Sequence, residues 1–305
     1  MSLHELLDVQ YDAGAGGSAH PQRRLDLFVP SSGLADAPTP APALLVFVHG
    51  GAWRAGDKSE HTELARKLAL EHKVAVAAVN YRLTLRDPPP GTKGLVSHPM
   101  HAIDVLQAIE FLYSWPAEGK RTPKSGEVDR PELPGSGYDP ERLYFIGHSA
   151  GAHILATLFL QAPALFDLPP TPTPIVKAAR GVLLSEGIFS ITRLLENFPS
   201  YIAFIEPAFG RSTAGESGSK YDIFSANHYD LREGAEHIVW WVVHSSGDDL
   251  VDIDQQELMY DSLEVLLEDE GEGLVRKDWD TLTADHYKAV DEPRFSEIVG
   301  ELLKA

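Results

Sequence analysis

The stretch LYFIGHSAGAHILATLFL, residues 143–160, decides the fold. An apolar, strand-like run (143–146) meets a helix-like run (150–160) across the pattern G-x-S-x-G. At such a junction the two glycines avoid clashes in a very sharp turn, and the serine between them is held in a strained backbone conformation. The N–H groups at the start of the helix then point at the serine. G-x-S-x-G also occurs in plain turns, but here its strand and helix context indicates that Ser149 is a nucleophile.

Strand-like and helix-like runs alternate on either side of this turn. Apolar strands are predicted at 44–49, 74–81, 181–187, 237–245 and 274–282, and helices at 57–72, 98–115, 254–270 and 294–304. This alternation predicts an α/β fold with a mostly parallel central sheet and helices on both faces.

Three segments interrupt the alternation. Residues 116–137 and 163–174 are rich in proline and are predicted to be surface loops. Residues 188–230 carry scattered aromatic side chains and predict a small helical lid. We therefore expect a single domain over residues 1–305, with a lid insertion around 188–230.

Composition excludes several classes of function. With 45 acidic and 26 basic residues the formal net charge is −19, which disfavours nucleic acid and anionic membranes as partners. The chain has no cysteine, so disulfides, thiolate metal sites and a cysteine nucleophile are excluded. The N-terminus lacks the features of a signal peptide, and no apolar run approaches the roughly 20 residues needed to span a bilayer. We expect a cytoplasmic protein acting on a small molecule, and a homodimer is left open.

A serine nucleophile needs a histidine base and an acid that orients it. In folds with this turn the chain order is serine, acid, histidine. Only one histidine, His286, follows the predicted strand 237–245, so it is the expected base. Asp248 stands in the turn directly after that strand and is the expected acid, with its neighbour Asp249 as the alternative.

Small residues also follow the first predicted strand. His49-Gly50-Gly51-Ala52 comes directly after LLVFV. An oxyanion needs backbone N–H donors about 3 Å away, and a loop that brings its backbone so close cannot carry bulky side chains. We therefore expect an oxyanion hole made by the N–H groups of Gly51, Ala52 and Ala150.

Four stretches together carry a family resemblance. HGGAW (49–53), VNYRL (79–83), HP…AIDVLQAIEFL (98–112) and GHSAGAH (147–153) resemble the esterase/lipase branch of the α/β-hydrolases that use an H-G-G loop. Trp53 completes H-G-G-x-W, which is similar to the signature of the fungal-type kynurenine formamidases. The stretches LLSEGIFSI, YIAFIEPAFG and VVHSSGDDLVD add to this likeness, which covers about residues 40–290.

The resemblance implies an α/β-hydrolase fold with a small lid and hydrolysis of N-formyl-L-kynurenine to L-kynurenine and formate, without cofactor or metal. Substrate contacts are then expected at the glycine loop, in the lid and at the strand ends: His49, Gly50, Trp53, Glu186, Tyr201 and Phe204. Other residues considered for the aromatic ring or the charged tail are Phe189, Phe209, Arg82 and His153. For each of these residues the alternative is ordinary core packing or a structural ion pair.

Other functions fit the sequence less well. A general carboxylesterase for short-chain esters would use the same three catalytic residues and is the main alternative. A non-catalytic binding protein of this fold would have no need of Ser149, Asp248 and His286 together. A metal site at His98 and His101 lacks a nearby acid at ligand spacing.

Overall fold

A mostly parallel β-sheet forms the centre of the molecule. The computed structural model describes residues 2–12, 20–31, 40–89, 91–118, 128, 130–135, 137–210 and 220–305. Within this part the strands are β1 (Ser2–Gln10), β2 (Arg24–Ser31), β3 (Ala43–Val48), β4 (Ala75–Val79), β5 (Asp139–His148), β6 (Leu160–Gln161), β7 (Ala179–Ser185), β8 (Asp230–Leu231), β9 (Val239–Ser245) and β10 (Val275–Leu282). The helices are α1 (Thr62–His72), α2 (Met100–Glu118), α3 (Ala150–Phe159), α4 (Thr173–Ala178), α5 (Ile191–Asn197), α6 (Ile202–Phe209), α7 (Ile253–Leu266) and α8 (Pro293–Leu302).

The main sheet has the strand order β1-β2-β4-β3-β5-β7-β9-β10 over the described residues. From β4 to β10 neighbouring strands run parallel, whereas β2 is antiparallel to both β1 and β4. Because the central strands are parallel, the carboxyl ends of β3, β5, β7 and β9 meet at one edge. The segments after these four strands therefore converge at one place.

Successive side chains of β3 enter two separate apolar layers. Leu44, Val46 and Val48 belong to the layer that also contains side chains of α2, α3 and α7. Leu45 and Phe47 belong to the opposite layer, with side chains of α1 and α8. Successive side chains of a strand point to opposite faces of the sheet. Because both faces are buried here, this strand is apolar throughout. The expected sheet with helices on both faces is confirmed.

The N-terminal region differs from the expectation. Residues 2–31 carry two antiparallel strands that were not predicted: β1 at the edge of the sheet, and β2 between β1 and β4. The proline-rich segment 163–174 contains a short 3-10 helix (Ala164–Phe166) and the start of α4. Much of the other predicted loop, 116–137, lies outside the described residues.

Helices α5 and α6 occupy the first part of the predicted lid. Residues 211–219, inside the predicted span 188–230, lie outside the described residues. Side chains of this region reach the segment after β9, since the Tyr201 hydroxyl donates to the carbonyl oxygen of Leu250 at 3.0 Å. The division of the chain into one domain with a lid insertion stays a prediction. None of the described helices combines the length and apolar character needed to cross a membrane.

Candidate active site

Ser149 occupies the sharp turn between β5 and α3. Its backbone has φ 54° and ψ −120°, a conformation that residues with side chains rarely adopt. Its N–H donates to the carbonyl oxygen of Ser185, at the end of β7, at 2.8 Å. A Cβ on Gly151 would come 2.1 Å from the carbonyl oxygen of Val48, so the close approach of α3 to β3 requires glycine there. The turn thus holds the serine at the carboxyl edge of the sheet.

Asp248 and His286 meet at the same edge. His286 Nδ1 lies 2.7 Å from Asp248 Oδ2, and both side chains are buried. The second carboxylate oxygen accepts hydrogen bonds from the N–H groups of Leu250 at 2.8 Å and Val251 at 3.0 Å. Burial by itself raises the pKa of Asp248, but the hydrogen bond and charge of His286 outweigh it and lower this pKa to about 2. Asp249, the alternative acid, is exposed and forms no hydrogen bond to His286 in the described part of the chain.

The histidine within G-x-S-x-G supports the segment that carries His286. His148 Nε2 donates to the carbonyl oxygen of His286 at 2.8 Å, and the two rings lie 4.8 Å apart. Burial first, and then His286, hold the pKa of His148 well below its usual value. The neutral His148 ring therefore ties the loop after β10 to the serine turn.

The glycine loop after β3 lies against the serine. A Cβ on Gly50 would come 2.8 Å from Ser149 Cβ, which leaves no room for a side chain. Gly51 and Ala52 both have positive φ, 100° and 51°. Within the described residues their N–H groups and that of Ala150 make no hydrogen bond, and the first N–H groups of a helix have no partner inside it. Three backbone donors thus remain available beside the serine.

A cavity of about 230 Å³ connects these parts. Ser149 and His286 both line it, together with Gly51 and Ala52. Its other lining residues are apolar, aromatic or basic: Arg54, Ala55, Arg86, Ile188, Tyr201, Phe204, Leu250, Val251 and Tyr287. Two of the expected substrate contacts, Tyr201 and Phe204, therefore do reach the cavity.

Trp53 does not line the cavity, contrary to the expectation that it contacts substrate. Its side chain is fully buried and packs edge-on against His153, at 5.2 Å between ring centroids, and against Phe209, at 4.8 Å. The positive φ of 58° at Trp53 turns the indole into the core. His49 is likewise buried, and its ring stacks on Tyr81 at 4.6 Å. Trp53 and His49 thus hold the glycine loop in place from the side of the core.

Glu186 also lies away from the cavity, behind the acid. Its carboxylate accepts from the N–H of Ser245 at 3.0 Å, and Oε2 lies 2.8 Å from His244 Nδ1. Burial first raises the pKa of Glu186; His244 lowers it, and the charge of Asp248 raises it further. Glu186, His244 and Asp248 place possible ligand atoms within 4.8 Å of one another. Since these groups already bond His286, Ser245 and one another, we interpret the cluster as support for Asp248.

The other residues considered for contact with the substrate lie in the core or form ion pairs. Arg82 binds Asp104 at 2.7 Å, and His153 Nε2 donates to the carbonyl oxygen of Phe224 at 2.8 Å. Phe189 and Phe209 are buried.

Several lining residues were missed by sequence reasoning. Arg54 directly follows H-G-G-x-W, and Tyr287 directly follows the histidine, so their position beside motif residues was a usable signal. Arg86 stands on the segment after β4, where only the fold brings it to the cavity.

Comparison with protein families and solved structures supports this architecture. A family model described as "alpha/beta hydrolase fold" matches residues 45–171. Over its whole length the fold resembles a carbohydrate esterase from gut microbiota, with a TM-score of 0.68, 14% identity, and coverage of 99% of this chain and 95% of that one. At this identity the likeness concerns the fold alone.

Two named proteins share sequence with the chain. A kynurenine formamidase of Meyerozyma guilliermondii is 28% identical over 229 residues, which cover 72% of this chain and 71% of the relative. A probable isoprenylcysteine alpha-carbonyl methylesterase of Oryza sativa is 36% identical over 143 residues, 47% of this chain, and the match spans about a quarter of that relative's length (26%). The expected resemblance is confirmed, and the chain is an α/β-hydrolase-type hydrolase that is similar to the kynurenine formamidases.

Proposed function

We propose that the protein is a serine hydrolase that cleaves N-formyl-L-kynurenine to L-kynurenine and formate. The observation that carries the proposal is the 2.7 Å contact between Asp248 and His286 beside Ser149, with the serine and the histidine in one cavity. The 28% identity to a kynurenine formamidase over most of both chains supports this choice of substrate.

In the first half-reaction Ser149 Oγ attacks the formyl carbon while His286 Nε2 takes the hydroxyl proton. Asp248 holds the imidazole through Nδ1 and stabilises its positive charge. The negative oxygen of the tetrahedral intermediate accepts hydrogen bonds from the N–H groups of Gly51, Ala52 and Ala150. His286 then returns its proton to the leaving amine, so that the C–N bond breaks and a formyl ester remains on Ser149.

The second half-reaction repeats these steps with water. His286 takes a proton from the water, whose oxygen attacks the formyl ester, and then protonates Ser149 Oγ as formic acid leaves. The formic acid ionises to formate by giving its proton to solvent. Both transfers to and from Ser149 pass through one histidine, and the chemistry requires no cofactor.

The lining of the cavity supports an aromatic amine as the leaving group. Gly51 and Ala52 line the cavity together with Ser149, and the preference for a formyl group rests on the likeness to a kynurenine formamidase. Tyr201 and Phe204, with ring centroids 4.9 Å apart, provide aromatic surface for the leaving group.

A general short-chain carboxylesterase is the second candidate. It is favoured by the 36% identity to a probable methylesterase over 47% of this chain. Such an enzyme would use the same serine, acid and histidine.

An acyl series separates the two candidates. We predict that kcat/KM for derivatives of one aromatic amine falls from formyl to acetyl by roughly 10–200-fold, because one misfitting methylene costs about 1–3 kcal/mol, and that it falls further for butyryl. Ser149→Ala is the control for background hydrolysis and should lower the rate at least about 10³-fold. A preference for butyryl, or no preference, would replace the formamidase proposal with the carboxylesterase.

A further inference from the structure

The charge of the cavity is opposite to that of the chain. Acidic residues outnumber basic ones by 45 to 26, yet the described cavity lining contains two arginines, Arg54 and Arg86, and no carboxylate. Positive charge in the lining of a cavity that holds no carboxylate attracts an anionic ligand. The lining therefore favours substrates that carry a negative charge.

Arg54 is held in place without being neutralised. Its N–H donates to the carbonyl oxygen of Gly51 at 3.0 Å, which fixes its backbone to the glycine loop. The centre of its guanidinium group lies 4.9 Å from the centroid of the Phe204 ring, an arrangement that orients the cation and leaves its N–H donors free at the edge.

Neither arginine has a carboxylate within 4.0 Å among the described residues, whereas Arg82 and Arg193 each form such a pair. Burial first, and then the charge of Arg86, lower the pKa of Arg54, while Asp87 and Tyr287 oppose this shift. The two guanidinium groups thus repel each other, and an anion between them would relieve that repulsion.

We propose that Arg54 and Arg86 form a subsite that binds a carboxylate carried by the substrate. A guanidinium group recognises a carboxylate through two parallel N–H···O bonds, which adds orientation to attraction. The inference rests on the catalytic role proposed above for this cavity. It assigns recognition of the charged substituent to Arg54 and Arg86 and leaves Glu186 and Arg82, which are engaged elsewhere, out of substrate binding.

A pair of esters that differ only in charge tests the subsite. We would measure kcat/KM for 3-acetoxybenzoate and for its neutral analogue 3-acetoxybenzamide. The parent enzyme should prefer the anion by about tenfold or more, and Arg54→Met and Arg86→Met should each reduce that ratio about tenfold, as expected for loss of one charge-assisted interaction. Arg193→Met removes one positive charge from an exposed site on α5 and is the matched control, whose ratio should stay unchanged.

A second measurement does not depend on turnover. Calorimetric binding of benzoate and benzamide to the Ser149→Ala variant should show tighter binding of benzoate, and 0.5 M NaCl should weaken this preference. Melting temperatures confirm that each variant is folded.

The possible results are separable. The subsite would be overturned if the parent enzyme cleaved both esters equally well and benzoate bound no more tightly than benzamide. It would also be overturned if the methionine variants kept the parent ratio of kcat/KM for the two esters. Binding of benzoate and benzamide is measured without turnover. Failure to cleave formamides would therefore overturn the proposed function, while tighter binding of benzoate would still support the subsite.

Discussion

Asp248 uses its two carboxylate oxygens for different tasks. One oxygen faces His286 Nδ1, and the other accepts the N–H groups of Leu250 and Val251, which fix the carboxylate plane. With a pKa of about 2 the group stays ionised throughout the range in which the enzyme would be assayed. His286 is therefore always paired with a negative charge.

Exchanging the acid for an amide tests this arrangement. Asp248→Asn should lower kcat by up to about 10⁴-fold, because the amide favours the wrong tautomer of His286. Asp249→Asn, one residue away and exposed, is the matched control and should change kcat by less than about threefold. Steady-state kinetics with the formyl substrate give both values, and the reverse order would assign the acid to Asp249.

Single residues also show where sequence reasoning succeeds and fails. The order along the chain left one histidine after the strand 237–245, and this His286 does line one cavity with Ser149, while their catalytic roles stay a prediction. The side-chain positions of Trp53 and Glu186 were not predictable, because both residues have positive φ, 58° and 51°, and period-two alternation no longer tells where such a side chain points. The motifs placed the backbone of Trp53 and Glu186 near the site, but they gave the wrong direction for both side chains.

Among the elements, the contact between the glycine loop and the serine turn sets the geometry of the reaction. Gly50 lies so close to the turn that a methyl group would come 2.8 Å from Ser149 Cβ and 2.9 Å from His148 Nδ1. The two elements can approach in this way only while position 50 lacks a side chain.

Gly50→Ala should separate the loop from the serine. We predict a fall in kcat/KM of about 10²-fold, since displacement of catalytic groups by about 1 Å has effects of this size. Gly234→Ala is the control: its methyl would meet nothing within 4 Å, and its positive φ of 83° makes the change destabilising without touching the cavity. If Gly50→Ala keeps full activity while its melting temperature falls like that of the control, the loop does not set the position of the donors.

Elements whose apolar residues follow a clear pattern were predicted, and the others were not. The buried parallel strands are apolar runs. In helices α1, α2, α3, α7 and α8 the apolar residues recur at helical spacing. The first two strands, β1 and β2, mix polar and apolar residues, and α4 has only six residues after a proline-rich segment, so local pattern carries little information there. Pairing with the sheet, rather than propensity, determines these elements.

At the scale of the whole molecule, several buried or half-buried histidines are a source of acid sensitivity. Burial is the largest cause of a lowered pKa for His61, to about 4, for His101, to about 3, and for His153, to about 4. In the unfolded chain these groups return to their ordinary value of 6.5. As the pH falls from 6.5 toward 4, the unfolded state therefore binds protons that the folded state does not, and stability decreases.

Chemical denaturation at pH 7.5, 6.5 and 5.5 measures this effect. We expect the free energy of unfolding to be nearly constant above pH 7 and to fall below 6.5, by roughly 1 kcal/mol per pH unit for each such histidine. His101→Asn should reduce the slope of the free energy of unfolding against pH by the contribution of about one proton. His228→Gln, at an exposed position, should leave this slope unchanged. Constant stability down to pH 5.5 would show that these histidines take up protons while the protein is folded.

The burial of Trp53 changes what the motif H-G-G-x-W reports. A tryptophan that packs on His153 and Phe209 stabilises the glycine loop, whichever acyl group the enzyme accepts. Substitutions among Arg54, Arg86, Tyr201 and Phe204 could then redirect the enzyme to other substrates while the motif stays intact. Two proteins that share H-G-G-x-W therefore share a way of building the oxyanion loop, and their substrates must be compared at the cavity wall.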